Sequence, residues 1–269
     1  EEIEEYPIDG VTFISLSEVY RMLEWEDIYA HGLMSVTVTF TEADSILLNV
    51  NVDDERVGLA RYYNSEKGIL SHLNRINNGD HMSCSISFET AIERTDKWMS
   101  DKVGEEVHLT EEQKDVIKAT LDNDVVILTA HAGAGKSTTI KGIMELWRGK
   151  RISCCALAAK AAIRIQEVSG DSASTIHRLL EYQQGRFIRN EDNPLDADIV
   201  IVDECSMINV GLFLSLVRAV PSWGKLILVF DDAQLPAIGA GSVAKDLLSS
   251  DFCIKRLTKD DIKVVLVTG

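Results

Sequence analysis

The sequence predicts an α/β fold in which a parallel sheet carries helices on both faces. Two observations lead to this prediction. From residue 109 onward, short apolar runs alternate with amphipathic segments, and the β-branched run Val125 to Thr129 leads into a loop of small residues that ends in Gly135-Lys136-Ser137. Strands that alternate with helices form parallel sheets with right-handed crossovers, because each helix returns the chain to the same edge of the sheet.

Composition places the chain among ordinary globular proteins. It has 269 residues, of which 45% are hydrophobic and 26% charged, so there is ample material for a core. No apolar run reaches the roughly 20 residues that span a bilayer, and the acidic start Glu1 to Glu5 is the opposite of a secretory signal. The five cysteines lack metal-ligand spacing. We therefore expect a cytoplasmic protein with no membrane association.

The chain is strongly acidic. A net charge of −16 argues against wide, non-specific binding to a nucleic-acid backbone, which depends on neutralising phosphates with Lys and Arg. A local basic surface on an acidic protein remains compatible with this charge.

We divide the chain into an accessory α+β domain, 1–104, and a second domain, 105–269. A helix over 19–28 followed by a small antiparallel sheet predicts either a winged-helix arrangement or a plain α+β domain. Two further helices should precede the polar boundary at 100–106. The accessory segments are strands at 35–40, 45–52 and 56–59, and helices at 62–76 and 88–99.

The second domain should begin with a helix capped by Thr110, with Gln113 as its capping-box partner. Its later elements alternate in type. They are strands at 125–129, 151–157, 198–202 and 225–230, and helices at 136–147, 159–168 and 210–220.

The loop after the first of these strands has the properties of a phosphate cradle. Small residues let backbone N–H groups turn toward an anion, while the helix that follows offers its positive dipole end. Lys136 would reach the outer phosphates, and the Ser137 hydroxyl would bind Mg²⁺. A Gly-rich turn that binds nothing is the alternative, which the Gly-Lys-Ser ending disfavours. The predicted nucleotide-binding residues are Gln113, Ala132, Gly133, Ala134, Gly135, Lys136, Ser137 and Thr138.

An acid pair follows the apolar strand 198–202, at the edge of an open α/β sheet where ligands bind. In a nucleotide hydrolase, Asp203 would orient the magnesium shell and Glu204 would polarise the attacking water. Gln234, after the next strand, would sense the terminal phosphate. The alternatives are a solvated turn or helix cap for the acids and a turn residue for Gln234.

Gln113 also has two interpretations. Its amide either completes the capping box or reads the adenine edge of a nucleotide, since it offers one donor group and one acceptor.

The order of the motifs resembles the first motor domain of superfamily-one DNA helicases of the RecD-like branch, over about residues 105–258. The carrying motifs are Leu-Thr-x-x-Gln, Gly-Lys-Ser, the Ala156–Ala162 segment, Ser-Thr-Ile-His-Arg-Leu-Leu, Asp-Glu-x-Ser-Met and Asp-x-x-Gln-Leu-Pro. The resemblance implies a RecA-like P-loop NTPase fold and ATP hydrolysis with Mg²⁺, coupled to 5′-to-3′ movement on single-stranded DNA.

The same resemblance implies residue roles and partners. Lys136, Asp203, Glu204 and Gln234 take catalytic roles, with Ser137 and Asp203 at the metal. Lys160, Thr175 and His177 fall where the family contacts DNA. The implied partners are single-stranded DNA or a single/double-strand junction, together with other replication or repair proteins.

The chain departs from the family pattern in two functional respects. Leu157-Ala158-Ala159 replaces a segment with a DNA-contacting hydroxyl, and a second motor domain is expected but absent from these 269 residues. Arginines of that domain normally stabilise the transferring phosphate, so we expect weak hydrolysis by this chain. The alternative function is an ATP-binding regulatory switch or scaffold without DNA unwinding. A small-substrate kinase is disfavoured because no lid with several arginines is present.

Overall fold

A computed structural model describes most of the chain from residue 56 onward and isolated strands before it. The described residues are 13–15, 35–39, 45–51, 56–79, 82–131, 133–169, 172–231, 243–248 and 250–257. Their strands are β1 (Phe13–Ser15), β2 (Ser35–Thr39), β3 (Ser45–Asn51), β4 (Arg56–Leu59), β5 (Val125–Ala130), β6 (Ile152–Ala156), β7 (Ala173–Thr175), β8 (Tyr182–Gln183), β9 (Arg186–Phe187), β10 (Ile199–Asp203), β11 (Lys225–Phe230) and β12 (Cys253–Leu257). Their helices are α1 (Ala60–Asn77), α2 (Phe88–Val103), α3 (Glu111–Asp122), α4 (Lys136–Leu146), α5 (Ala159–Ser169), α6 (Ile176–Leu179), α7 (Val210–Ala219) and α8 (Val243–Leu248).

The described strands of the C-terminal region form a six-stranded sheet in the order β12-β5-β11-β10-β6-β7. Every neighbouring pair in this sheet is parallel. The carboxyl ends of β5, β11 and β10 therefore lie side by side at one edge. The predicted α/β class with a parallel sheet is confirmed.

Both faces of the sheet are covered, because its central strands are apolar on both sides. Alternate residues point to opposite faces of a strand. Val125 and Ile127 accordingly belong to one hydrophobic cluster, with α1 and α7, while Val126 and Leu128 belong to the other, with α2, α3 and α4. Packing on both faces holds β5 in place, and the loop that follows starts from this buried strand.

Helices α1 and α2, which precede the predicted boundary at residue 104, pack against the sheet domain. Helix α1 contacts α7, and α2 contacts α4. Arg75 of α1 donates hydrogen bonds to the carbonyl oxygens of Val217 and Val220, at 3.1 and 2.8 Å. Helix α2 ends at Gly104, whose φ of 86° is left-handed. The division of the chain at this point stays a prediction.

The described N-terminal strands form a four-stranded antiparallel sheet in the order β1-β4-β3-β2, and α1 packs against β3 and β4. This is the predicted α+β arrangement. The helix predicted over 19–28 lies outside the described residues. Within the described part of the chain, no helix is long and apolar enough to cross a membrane.

Candidate nucleotide-binding site

The loop after β5 has the backbone geometry of an anion-binding turn. Gly133 and Gly135 adopt φ values of 82° and 81°, which L-residues with a side chain rarely adopt. Between them, the buried Ala134 donates its backbone N–H to the His131 carbonyl oxygen at 3.2 Å. Gly135 is the N-cap of α4 and provides no side-chain cap, so the first turn of the helix keeps N–H groups for an anion.

Lys136 begins α4, and its ammonium group lies in the site. Its Nζ donates to the Ala130 carbonyl oxygen at 3.0 Å and lies 2.5 Å from Asp231 Oδ2. The strand end of β5 and the residue after β11 thus hold the lysine at the mouth of the loop. Ser137 and Thr138 follow in the half-buried first turn of the helix.

The side chain of Gln113 contacts both the start of α3 and the loop after β5. Its Oε1 accepts a hydrogen bond from the Thr110 backbone N–H at 3.0 Å, which completes the capping box predicted for α3. Its Nε2 donates to the Gly135 carbonyl oxygen at 3.5 Å, and a β-carbon at Gly135 would collide with this Nε2. Gln113 therefore serves the helix cap and the loop together. Its contact with adenine stays a prediction.

The acid pair lies at the carboxyl end of β10. Asp203 Oδ1 accepts a hydrogen bond from the Glu204 backbone N–H at 2.8 Å. Burial raises the pKa of Asp203, and the positive charges of Lys136 and Arg164 oppose this shift without cancelling it. Burial, and then the neighbouring Asp203, raise the pKa of Glu204.

Glu204 occupies a strained backbone position. Its φ of 57° and ψ of 37° are left-handed, a conformation that costs a non-glycine residue about 1–3 kcal/mol. The strain turns the chain abruptly from β10 into a 3₁₀ turn over Cys205–Met207. Such outliers are concentrated at functional sites, which supports the interpretation of the acid pair as more than a solvated turn.

We expect Asp203→Asn to raise the midpoint of thermal unfolding at pH 7–8 in buffer free of nucleotide and Mg²⁺. Because the pKa of Asp203 is higher in the folded state, its stability contribution is present at acid pH and is lost as pH rises through the folded pKa. Asparagine avoids this loss and keeps an oxygen for the Glu204 N–H. The gain over the wild type should therefore shrink as the pH falls toward 4. Asp192→Asn removes the same charge at an exposed position, and its midpoint should show no such trend. A midpoint of Asp203→Asn below that of the wild type at pH 7 would contradict the prediction.

The predicted DNA-contacting residues lie along the same edge of the sheet. Asp203 is paired in register with Ala156, and Ala156 with Thr175. The Thr175 hydroxyl caps α6 by accepting the Arg178 N–H at 3.3 Å. Lys160 is exposed in the first turn of α5.

His177 belongs to an aromatic group that was not predicted from the sequence. Its ring centroid lies 5.6 Å from that of Tyr182 and 5.7 Å from that of Phe187, on the β8–β9 hairpin. Tyr182 is 50% exposed. These rings, together with Leu157 and Met207, line a cavity of about 430 Å³.

Two predicted site residues, Ala132 and Gln234, lie outside the described residues. Two other residues, Asp231 and Ser206, belong to motifs named above and enter the site, although no role was predicted for either. Asp231 pairs with Lys136, and the Ser206 hydroxyl lies 3.2 Å from both the backbone nitrogen and the carbonyl oxygen of Asp231. An aspartate directly after an apolar strand was the signal for Asp231, as it was for Asp203.

The described residues fit a magnesium-bound nucleotide. Two left-handed glycines shape the loop, the helix provides N–H groups, and Lys136 provides a cation. Mg²⁺ commonly takes one or two carboxylate or hydroxyl ligands and completes its shell with phosphates and water. Ser137 and Asp203 are of the right chemistry for this role.

Sheet order, loop geometry and the lysine at the start of α4 together define a P-loop NTPase fold, and such a loop binds nucleotides. Comparison with known proteins shows what this chain is similar to. Residues 113–240 match the AAA domain family. The ATP-dependent RecD2 DNA helicase of Deinococcus radiodurans is 44% identical over 135 residues, which cover 49% of this chain and 19% of that protein.

A second relative and a solved structure are also similar to this chain. The RecBCD enzyme subunit RecD of Mycolicibacterium smegmatis is 33% identical over 166 residues, covering 51% of this chain and 30% of that protein. The crystal structure of a Bacteroides Pif1 in complex with ADP-AlF4 has a TM-score of 0.40 and 24% identity, covering 56% of this chain and 42% of that one. The chain thus spans about a fifth to a third of the length of these curated relatives. The predicted resemblance to the motor region of superfamily-one, RecD-like helicases is confirmed.

Proposed function

We propose that this chain forms part of an ATP-dependent DNA motor that hydrolyses ATP with Mg²⁺ and moves on single-stranded DNA. The observation that carries the proposal is the convergence at one sheet edge of a phosphate-binding loop, an acid pair and candidate DNA contacts. A helicase motor needs these three parts to lie close together, because ATP hydrolysis must change the affinity of the motor for the DNA strand.

Each part of the proposed chemistry is assigned to residues of this chain. Lys136 and the N–H groups of α4 would bind phosphates, and Ser137 and Asp203 would hold Mg²⁺, which would neutralise phosphate charge. Glu204 accepts the proton of the attacking water, and its raised pKa makes it a stronger base than an ordinary glutamate. Gln113, Ala132, Gly133, Ala134, Gly135 and Thr138 complete the nucleotide site, and Gln234 senses the terminal phosphate.

The DNA strand would follow the edge from Lys160 to Thr175 and His177. The exposed rings of His177 and Tyr182 support this path, since aromatic side chains stack on bases of any sequence. The 5′-to-3′ direction and junction binding follow from the resemblance. Because arginines of a second motor domain would stabilise the transferring phosphate, we expect these 269 residues, which cover 19–30% of the two curated relatives above, to turn over ATP slowly by themselves.

A regulatory ATP switch or scaffold is the second candidate. The net charge of −16 favours it, as does Leu157-Ala158-Ala159, which has no hydroxyl for a DNA phosphate. Under this alternative the chain binds nucleotide but not single-stranded DNA.

The deciding experiment measures ATP hydrolysis by the purified chain with and without single-stranded DNA, beside Lys136→Ala. Stimulation by DNA that disappears in the variant supports the motor. Nucleotide binding without any DNA binding supports the switch. Failure of the wild-type chain to bind ATP with Mg²⁺ would overturn both.

Salt dependence of DNA binding tests the predicted contact at Lys160. Each phosphate neutralised on a single strand contributes about −0.7 to the slope of log K against log salt. We expect Lys160→Ala to make the slope shallower by about 0.7 for this reason, as measured by fluorescence anisotropy of a labelled oligonucleotide. Lys118→Ala, an exposed lysine on α3, is the matched control and should leave the slope unchanged. Equal slopes for the wild type and Lys160→Ala would remove Lys160 from the DNA path.

A further inference from the structure

Lys136 is already engaged by an anion of the protein itself. Its Nζ lies 2.5 Å from Asp231 Oδ2, and the two side chains are only 16% and 12% exposed. A second partner, the Ala130 carbonyl oxygen, accepts another of the three Nζ protons at 3.0 Å. The ammonium group is therefore held at the strand ends by a partly buried, charge-assisted contact.

Asp231 is itself fixed by the turn that follows the acid pair. The Ser206 hydroxyl donates to the Asp231 carbonyl oxygen, and the Asp231 N–H donates to the same hydroxyl, both at 3.2 Å. Ser206 lies two residues after Glu204, in the 3₁₀ turn. Strand β11 adds support, because it is the direct neighbour of β5 in the sheet. The carboxylate thus has a defined place beside the phosphate loop.

We propose that Asp231 is a positioning residue that holds Lys136 in the nucleotide-free site and competes with the nucleotide phosphates for its ammonium group. This inference rests on the proposed function, since it assigns Lys136 to ATP phosphates. When phosphates enter the loop, two anions share one cation in a partly buried space where water screens charge poorly. Part of the free energy of phosphate binding therefore offsets the loss of the contact between Lys136 and Asp231.

The proposal predicts the sign of an affinity change. Asp231→Asn keeps the shape of the side chain and removes its negative charge. We expect the variant to bind ATP with Mg²⁺ about tenfold more tightly, a modest fraction of the interaction between unit charges at about 4 Å. Binding of ADP should tighten less, because Lys136 reaches the outer phosphates and ADP brings less charge to it.

Isothermal titration of the 269-residue chain with ATP and with ADP, both in Mg²⁺, measures these affinities. Asp192→Asn removes the same charge from an exposed loop and should leave the affinities for ATP and ADP unchanged. Asp231→Glu retains the charge and should bind ATP with an affinity near that of the wild type. A merely structural role for Asp231 would not produce a gain that is larger for ATP than for ADP and reversed by glutamate.

The outcomes separate this inference from the proposed function. A wild-type chain that does not bind ATP, or whose binding survives Lys136→Ala, refutes the assignment of the site. If the wild type binds and Lys136→Ala does not, but Asp231→Asn binds ATP equally or more weakly, then the competition by Asp231 is refuted alone. If Asp231→Asn unfolds, Asp231→Ala removes the same charge: tighter binding of ATP than in the wild type supports the competition, and equal or weaker binding refutes it.

Discussion

Glu204→Gln is expected to lower the rate of ATP hydrolysis about 10²–10⁴-fold, the usual contribution of a positioned general base. Glutamine keeps the length and shape of glutamate but cannot accept the proton of the attacking water. Nucleotide affinity should change little, because the proposed phosphate contacts come from the loop and Lys136. The left-handed backbone of Glu204 makes the position of its side chain dependent on the turn, and glutamine has the same number of non-hydrogen atoms as glutamate.

The pH dependence of the wild type provides a second, independent test of Glu204. Burial and the nearby Asp203 raise the pKa of Glu204, so the carboxylate form is lost at a higher pH than for an ordinary glutamate. The rate should fall as the pH drops through this raised pKa. The variant should lack this limb of the profile.

Single-turnover measurements suit a chain with slow hydrolysis. With the chain in excess over ATP labelled in its terminal phosphate, small rates are resolved above the Lys136→Ala background. Glu167→Gln makes the same chemical change at an exposed position of α5 and should hydrolyse ATP like the wild type. A Glu204→Gln rate equal to that of the wild type would exclude Glu204 as the base.

The sheet domain was predictable because its signals are local. Apolar runs such as Val125–Ala130, alternating with helical segments, are typical of a parallel sheet buried on both faces, and Gly135-Lys136-Ser137 defines the turn that follows. The capping box of Thr110 and Gln113 is equally local and was predicted residue by residue. The roles of the individual site residues in binding and catalysis stay predictions.

Contacts between distant segments were not predictable in the same way. The pair of Lys136 and Asp231 joins residues 95 positions apart, and it depends on β5 and β11 being neighbours in the sheet. The hairpin that brings Tyr182 and Phe187 to His177 lies outside the strands and helices that the sequence predicts for the second domain. Sequence periodicity carries no information on strand order, and strand order brings these side chains together.

Lys225 takes part in a further contact that the sequence did not predict. A lysine at the start of an apolar strand is usually exposed. Here its side chain is 1% exposed, and its Nζ lies 2.6 Å from Asp124 Oδ1. The Nζ also donates to the Asn123 carbonyl oxygen at 3.1 Å and lies 5.0 Å from the Trp147 ring centroid. This buried ion pair joins the amino ends of β11 and β5.

We expect Lys225→Met to lower the free energy of unfolding by about 3–5 kcal/mol, the typical cost of removing one partner of a buried ion pair. Methionine replaces most of the apolar stem, so the loss comes from the charge left on Asp124. The double variant Lys225→Met with Asp124→Asn removes that charge as well, and it should therefore be more stable than Lys225→Met alone. Urea denaturation followed by circular dichroism measures all three proteins.

The double variant is what distinguishes a charge effect from a packing effect. If Lys225→Met destabilises because it leaves a buried carboxylate without its cation, the second substitution must recover part of the loss, and the two changes are non-additive. If the loss comes from packing against Trp147, the second substitution adds its own cost and the double variant is the least stable. Because the pair lies at the amino ends of the strands, opposite the phosphate loop, nucleotide affinity measured below the unfolding transition should be the same in all three proteins.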